Sequence, residues 1–362
     1  MNLSRSKFAI VLALLGIVAG CAVSNGSASP GNPVPSAVPS TAPATAPTAG
    51  PPTAEPSPGA SADPVYQLTE YTVPSGSHPH DVAPATDGGV WYTAQRSGRL
   101  GHLDPATGAV REVPLGRGSA PHGVIVGPDG APWITDGGLN AIVRVDPQTE
   151  RVDVFPLPDD HSGANLNTAA FDAGGTLWFT GQAGVYGRLE PDSGIVAVFD
   201  APKGRGPYGI GATPDGDVWY ASLAGSYIAR IDRATDKAIV VEPPTSGQGA
   251  RRVWSDSRGR LWVAEWNAGK VAMHDPADGT WQEWALPGTG AQAYAVYVDD
   301  RDGVWLTDFG SNAIVRFDPP TETFATFKLP SPGAAVRQLL GRPGEVWGAE
   351  SATDKLIVIR AP

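Results

Sequence analysis

Two histidines in matching positions are the best candidates for acid–base chemistry. His80 and His122 each follow a proline. Imidazole has an ordinary pKa close to neutrality, so either histidine could remove a proton from a substrate. Carboxylates at Asp136 and Glu350 could orient this base, or bind Mg²⁺ that polarises an ester carbonyl. These residues predict a lyase-like or hydrolase-like activity on an ester, with His122 or His80 as the catalytic base.

These candidates belong to two series of positions that recur along the chain. The first series precedes a repeating tryptophan by 11 residues, or by ten in the last copy, and its members are all polar or amphipathic: His80, His122, Asn167, Tyr208, Arg251, Tyr294 and Arg337. The second series follows the same tryptophan by three residues and reads Ala94, Asp136, Gly181, Ser222, Glu265, Asp308 and Glu350. Side chains that vary at a fixed place in a repeat indicate a ligand-binding surface. The predicted substrate-binding residues are Asn167, Tyr208, Arg251, Tyr294 and Arg337, and the predicted metal ligands are Asp136, Glu265, Asp308 and Glu350.

A purely structural role for the same side chains is an open alternative. Ion-pair networks and active sites look alike in a sequence. The possible ion pairs within single hairpins are Arg251 with Glu265, Arg337 with Glu350, and His122 with Asp136. A further possibility is a lactonase-like hydrolase in which Glu265, Asp308 and Glu350, from consecutive repeats, hold Ca²⁺.

The elements that must position these residues are read from the repeat itself. The repeating tryptophans are spaced by 42, 45, 41, 43, 43 and 42 residues and are Trp91, Trp133, Trp178, Trp219, Trp262, Trp305 and Trp347. Turns such as Asp129-Gly130 precede them, and each copy contains four short segments rich in β-branched or aromatic residues. Repeats of this length built from short strands are typical of propeller blades. Residues 65–362 are therefore predicted to form an all-β, seven-bladed β-propeller with four-stranded blades.

The last repeat lacks a fourth strand, because only one strand, Leu356 to Ile359, follows Trp347 before the chain stops. The segment Leu68 to Val73, which precedes the first repeat, has the composition of the outer strands in the other copies. We expect it to pair as the outer strand of the last blade. This pairing would close the ring and leave only short sheet edges.

The N-terminal region predicts export and lipid anchoring. Residues 1–20 carry Arg5 and Lys7, then an apolar stretch that ends in small residues before Cys21. This is the pattern of a lipoprotein signal peptide, with Cys21 as the residue that receives palmitate-type acyl chains. Residues 21–64 are rich in Pro, Ala, Ser and Thr and are expected to form a disordered tether. The predicted location is the cell envelope, outside the cytoplasm and attached to the membrane through lipid alone.

Composition excludes several other function classes. The formal net charge is −11, which argues against nucleic acid as a partner. Cys21 is the single cysteine, so the mature chain cannot form a disulfide or a thiolate metal site. We expect no organic cofactor, possible Mg²⁺ or Ca²⁺, a small molecule or peptide at the channel rim, and a monomer.

Several motifs carry a resemblance to a known family. They are Pro121-His122-Gly123-Val124, Leu177-Trp178-Phe179-Thr180 and Asn312-Ala313-Ile314-Val315-Arg316. Over residues 65–362 the chain resembles the virginiamycin B lyase, or streptogramin lyase, family of seven-bladed propellers. The resemblance implies a magnesium-assisted elimination that linearises a cyclic depsipeptide. In that reaction a histidine removes the Cα proton and glutamates hold the metal.

The family's functional positions can be transferred to this sequence in two ways. Read colinearly, the first histidine corresponds to Tyr294, the Glu and second histidine of a Glu-Pro-His motif to Ala335 and Arg337, and the rim glutamate to Glu350. Rotated by blade symmetry, the histidines correspond to His80 and His122, the rim glutamate to Asp136, and the motif's Glu to Ala120, for which Glu350 could substitute. Since the colinear positions lack both histidines, a non-catalytic propeller that binds a peptide, glycan or protein at the same rim is the alternative function.

Overall fold

The computed structural model describes residues 66–361, which form seven four-stranded antiparallel sheets. One short 3₁₀ helix, Asp159–His161, lies between the second and third sheets. The strands, in chain order, are β1 (Gln67–Thr72), β2 (Pro79–Pro84), β3 (Val90–Ala94), β4 (Arg99–Leu103), β5 (Val110–Pro114), β6 (Pro121–Val126), β7 (Pro132–Asp136), β8 (Ala141–Val145), β9 (Val152–Pro156), β10 (Leu166–Phe171), β11 (Leu177–Gly181), β12 (Val185–Glu190), β13 (Ile195–Asp200), β14 (Pro207–Ala212), β15 (Val218–Ser222), β16 (Tyr227–Asp232), β17 (Lys237–Val241), β18 (Ala250–Ser255), β19 (Leu261–Glu265), β20 (Lys270–His274), β21 (Trp281–Ala285), β22 (Ala293–Val298), β23 (Val304–Asp308), β24 (Ala313–Asp318), β25 (Thr323–Lys328), β26 (Val336–Arg342), β27 (Glu345–Glu350) and β28 (Lys355–Arg360).

The sheets are the blades of a β-propeller, which confirms the predicted fold class. The innermost strands contact one another in the closed order β2, β6, β10, β14, β18, β22, β26 and back to β2. The first six blades each use four consecutive strands. The seventh has the order β1-β28-β27-β26, so the N-terminal strand is its outer strand. Leu68 lies opposite Ile359 and Tyr71 opposite Leu356, as the incomplete last repeat predicted.

The repeating tryptophans hold neighbouring blades together. All seven are buried. Trp347 of blade 7, for example, belongs to an apolar cluster with Val82 of blade 1. Five of the seven indoles also donate a hydrogen bond to a carboxylate in or next to the turn of their own hairpin, as Trp133 Nε1 does to Asp129 at 3.1 Å. The repeat signal in the sequence is thus explained by packing between blades and by turn formation.

Every innermost strand contains a β-bulge directly after its first residue. In blade 1 the register shifts between Pro79 and Val82, and equivalent shifts occur in the other six blades. A bulge leaves residues unpaired and re-aims their side chains. All seven members of the first predicted series lie in these bulges. The bulges therefore decide which side chains enter the channel.

Among residues 66–361 no helix is long and apolar enough to cross a membrane. The predicted signal peptide, residues 1–20, and the predicted tether with Cys21, residues 21–64, lie outside the described residues. Both stay predictions.

Candidate functional site

The seven residues of the first series meet at one end of the central channel. The His80 and His122 rings, from blades 1 and 2, lie 3.7 Å apart between centroids. Asn167 of blade 3 contacts His122, with 3.3 Å between Asn167 Nδ2 and His122 Nε2. The hydroxyls of Tyr208 and Tyr294, from blades 4 and 6, are 2.6 Å apart. Residues that are far apart in sequence thus form one connected network.

Arg251 and Arg337 complete this network at its outer side. Arg251 donates from Nη2 to the Tyr208 hydroxyl at 2.8 Å, and its guanidinium carbon lies 3.6 Å from the centroid of the Tyr294 ring. Arg337 donates from Nε to Ser351 Oγ at 2.7 Å and from Nη1 to the Tyr294 hydroxyl at 3.3 Å. Both arginines are half-buried, whereas the other five members of the series are buried. The arginines are therefore the members that solvent reaches.

The channel also contains a buried ion pair that the sequence reasoning missed. Asp81 of blade 1 accepts from Arg252 of blade 5, with Nη2 to Oδ1 at 3.0 Å and Nη1 to Oδ2 at 3.3 Å. Each residue directly follows a member of the predicted series. Regular alternation would aim such a neighbour to the other face of the strand, but the bulge lets both consecutive side chains enter the channel. Gln338 likewise directly follows a member of the series, Arg337, and its Oε1 accepts from Val82 N of blade 1 at 2.9 Å.

Hydrogen bonds assign the proton positions of the two histidines. His80 Nδ1 lies 2.8 Å from Asp81 Oδ1 and donates to this carboxylate, so Nε2 carries the lone pair. His122 Nδ1 lies 3.0 Å from the Asn167 carbonyl, which can only accept, so His122 Nε2 is the acceptor. Burial lowers the pKa of each imidazole well below its ordinary value. The charge of Arg252 adds to this effect at His80, and the nearby His80 adds to it at His122. Both are neutral at neutral pH.

The predicted metal ligands do not meet one another. Both oxygens of Asp136 are occupied, because they accept from the backbone amides of Ala120, Gly138 and Leu139 and from Ser119 Oγ. Asp308 accepts from the amides of Gln292 and Gly310. Glu350 accepts from Thr353 Oγ1. Glu265 is fully buried, and neither of its carboxylate oxygens has a partner.

The length of the side chain explains why the two aspartates accept from backbone amides and the two glutamates do not. At the same position of its blade, Asp136 reaches the amides of the loop that follows, whereas Glu265 is one methylene longer and does not. Burial, aided by the nearby Glu283, raises the pKa of Glu265 to about 8, and burial raises the pKa of Glu350 to about 7. The suggested ion pairs of Arg251 with Glu265, Arg337 with Glu350 and His122 with Asp136 do not form among the described residues.

Among residues 66–361 one group of three side chains, His80, Asp81 and His122, brings potential metal-ligand atoms within 4.8 Å of one another. Mg²⁺ prefers oxygen ligands, but this group offers two nitrogens and a carboxylate already bound by Arg252. The positive charge that helps to keep His80 unprotonated also opposes a divalent cation. This group therefore does not fit Mg²⁺, and Mg²⁺ or Ca²⁺ binding at the predicted carboxylates stays a prediction.

The rim around the arginines is aromatic. Trp266 and Phe309, the residues directly after Glu265 and Asp308, are half-buried, and their ring centroids are 5.5 Å apart. Phe309 stacks on Tyr294 at 4.6 Å, and the Arg251 guanidinium carbon lies 4.8 Å from the Trp266 ring. Phe309 also lines a cavity of about 190 Å³ between blades 6 and 7. A guanidinium among aromatic rings beside an apolar cavity can bind an organic ligand.

Similarity to solved structures agrees with this architecture. The virginiamycin B lyase of Staphylococcus aureus is 20% identical, with a TM-score of 0.75 over 82% of this chain and 99% of that chain. A streptogramin B lyase is 24% identical, with a TM-score of 0.74 over 82% of this chain and 98% of that chain. YCF48 bound to D1 peptide is 16% identical, with a TM-score of 0.64 over 81% of this chain and 94% of that chain. At these identities the likeness establishes the fold alone.

The sequence itself establishes the family. A search of curated proteins found no significant match. The model of the virginiamycin B lyase family, however, matches residues 60–278, which is more than half of the chain. The chain belongs to the virginiamycin B lyase family.

Proposed function

We propose that this protein is a lipid-anchored, extracytoplasmic propeller that binds a small molecule or peptide at its channel rim. The observation that carries the proposal is the convergence of the seven bulge residues on one network. Their side chains differ from blade to blade although the backbone repeats. Variation at a structurally constant place is expected where a ligand is recognised.

Two features favour binding over catalysis. His80 and His122 are buried, with 2% and 7% of their surfaces exposed, so a substrate does not reach them without movement of the covering side chains. The half-buried side chains at this end include Arg251, Arg337, Trp266 and Phe309, and arginine and aromatic side chains are typical of binding sites. A propeller of the same fold, YCF48, has been solved bound to D1 peptide.

The test is a binding screen with the purified mature protein. Thermal shift and calorimetry against a panel of peptides, glycans and depsipeptides, including quinupristin, should identify a ligand that is recovered unchanged. Trp266→Ala should abolish its binding, whereas Trp281→Ala, at a half-buried tryptophan of an outer strand, should not. Binding that is insensitive to Trp266→Ala would place the ligand elsewhere and refute the proposal.

A lyase-like reaction is the second candidate, and the protonation of His80 favours it. His80 Nε2 has a lone pair at neutral pH, so it could accept a proton from a substrate that reaches the channel. Quinupristin, which has been solved in complex with a catalytically inactive variant of the Staphylococcus aureus enzyme, is the first substrate to test. Linearisation of quinupristin by the wild type but not by His80→Ala or His122→Ala would support this reaction. Full activity of the double variant would exclude both histidines as the base.

A further inference from the structure

We propose that Arg251 and Arg337 form a carboxylate-binding site at the channel mouth, and that its ligand is an organic carboxylate with an aromatic or branched apolar group. This inference rests on the proposed rim-binding function and specifies its ligand class. The site is defined by four residues: Arg251, Arg337, Trp266 and Phe309.

The first argument is that both guanidinium groups lack a counter-ion. No ion pair within residues 66–361 includes Arg251 or Arg337, whereas the neighbouring Arg252 is paired with Asp81. The hydrogen bonds described above use Nη2 of Arg251 and Nε and Nη1 of Arg337. Nη1 of Arg251 and Nη2 of Arg337 make no hydrogen bond among the described residues, and Nε of Arg251 is buried without a partner. A carboxylate oxygen is the acceptor that such donors bind most strongly.

The second argument is that both side chains are held in place before a ligand arrives. Arg251 is packed against the rings of Tyr208, Trp266 and Tyr294, at 4.3, 4.8 and 3.6 Å from the ring centroids. Arg337 is fixed by Ser351 and Tyr294. Fixed side chains lose little conformational entropy when a ligand binds. Both guanidinium groups contact Tyr294, Arg251 on the ring face and Arg337 at the hydroxyl, so one ligand beside Tyr294 can meet both arginines.

The third argument is the local sign of the electrostatic potential. The chain is strongly acidic overall, but Arg251 and Arg337 bring two positive charges without an ion-pair partner among the described residues to the channel mouth. His78 lies at this end of the channel, where burial and then the charges of Arg337 and Arg96 lower its pKa against the opposing charge of Asp354. Unpaired positive charges on an acidic protein attract small anions to one place.

The fourth argument concerns the uncharged part of the ligand. The cavity of about 190 Å³ beside Phe309 is lined by apolar side chains, including Leu329 and Val336, and at one side by the polar side chains of Thr307, Asp308 and Asn312. An apolar cavity of about 150 Å³ is large enough to bind benzene. Phe309 connects the two parts of the site, because its ring stacks on Tyr294, which Arg251 covers. A phenyl or branched alkyl group therefore fits beside the carboxylate.

The experiment uses the mature protein and two probes of nearly equal shape, of which only one is charged. N-acetyl-L-phenylalanine has the carboxylate and the ring, and N-acetyl-L-phenylalanine amide has the same shape without the charge. Calorimetry should show that the carboxylate binds about tenfold or more tightly than the amide, since hydrogen bonds to charged groups are among the strongest. Raising the salt concentration from about 0.05 M to about 0.5 M should weaken the binding of the carboxylate and leave the binding of the amide unchanged.

Variants test the residues. Arg337→Gln should weaken carboxylate binding about tenfold and Arg337→Lys should restore part of it, while Arg301→Gln, at an exposed arginine of the opposite rim, should have no effect. Arg251→Gln is a second variant, and melting temperatures check that each variant folds. If the amide binds as tightly as the acid and Trp266→Ala abolishes both, the carboxylate site is wrong and rim binding stands. If neither probe binds at about 10 mM, the carboxylate site is wrong, and the proposed rim-binding function is then tested only by the ligand panel.

Discussion

At the residue scale, the channel mouth collects ionisable groups whose surroundings shift their pKa in opposite directions. Neutral histidines, tyrosines beside guanidinium groups and buried glutamates lie within one end of the propeller. Each shift has an identified cause, so each can be tested by one substitution. The half-buried members of the network are Arg251 and Arg337, which suit an anionic ligand.

Glu265 should make stability fall as the pH rises. The pKa of its carboxyl is about 8 in the folded protein, against an ordinary value of 4.5, because it is buried without a hydrogen-bond partner. Between these values the unfolded chain is ionised and the folded chain holds the proton, so raising the pH favours unfolding. Glu265→Gln should be more stable than the wild type at pH ~8.5, by on the order of 3 kcal/mol, and nearly equal at pH ~4.

Denaturant unfolding across this pH range measures the effect. The exposed Glu322→Gln is the matched control and should keep the pH dependence of the wild type. The prediction is contradicted if the free energy of unfolding of the wild type, measured relative to that of Glu265→Gln, does not decrease between pH ~5 and pH ~8.5.

Tyr294 should ionise at lower pH than an ordinary tyrosine. Burial raises the pKa of its hydroxyl, but the charges of Arg251, Arg252 and Arg337 outweigh burial and lower the pKa below 10.0. An ultraviolet titration of the phenolate should show a tyrosine that ionises ahead of the rest, and Tyr294→Phe should remove this step. Tyr297→Phe is the control, because burial raises the pKa of Tyr297 to about 12. If Tyr297→Phe removed the early step and Tyr294→Phe did not, Tyr294 would not be the tyrosine with the lowered pKa.

At the element scale, the bulge of each innermost strand is the feature that builds the site. In several blades a threonine of the second strand fills the bulge and ties it to the next blade. Thr135 Oγ1 accepts from Gly123 N at 3.0 Å and donates to the Asn167 carbonyl at 2.5 Å. Thr93 has the same two roles toward Asp81 and His122. One hydroxyl thus fixes both the bulge and the spacing of two blades.

Thr135→Val should therefore destabilise the protein more than an ordinary surface change. The isosteric side chain leaves the Gly123 N–H buried without its partner, and it removes one of the two donors to the Asn167 carbonyl, which keeps His122 Nδ1. We expect this change to cost about 2 kcal/mol. Chemical unfolding measures the loss. Thr326→Val, in the exposed outer strand β25, should change the stability by less than about 0.5 kcal/mol. Equal effects of the two substitutions would show that the hydroxyl has no special role.

At the scale of the whole molecule, ring closure depends on the N-terminal strand. β1 supplies the outer strand of blade 7, and Glu70 also accepts from Lys355 Nζ and Ser331 N. The two ends of the chain are therefore held in one blade. Without β1 the third strand, β28, would have an unpaired edge.

Deleting residues 1–64 should leave a folded, soluble propeller, whereas deleting residues 1–76 should lower the melting temperature by about 10 °C or more. The shorter deletion removes only the predicted signal peptide and tether, and the longer one also removes β1. Thermal unfolding of the two proteins measures the difference. Equal melting temperatures would mean that β1 does not stabilise the ring.

Cys21→Ser should release the protein from the membrane. The prediction of lipid anchoring rests on the apolar segment that ends before Cys21. Cell fractionation and labelling with radioactive palmitate measure it: the wild type should be labelled and membrane-bound, and the variant unlabelled and soluble. Ser24→Ala, in the predicted tether, is the control. Membrane retention of Cys21→Ser would show that the protein is held by something other than lipid.

The sequence alone determined the fold, the number of blades, the closure of the ring and seven of the positions that supply channel residues. These features follow from local patterns, such as strand alternation, turn residues and the tryptophan spacing, which every repeat contains. The tertiary structure decided the rest. It paired Asp81 with Arg252, residues 171 positions apart, separated the four predicted carboxylates, and placed Arg251 against three aromatic rings. Bulges and the ring geometry control these contacts, because a bulge re-aims side chains and the ring juxtaposes distant strands, and neither effect appears in local periodicity.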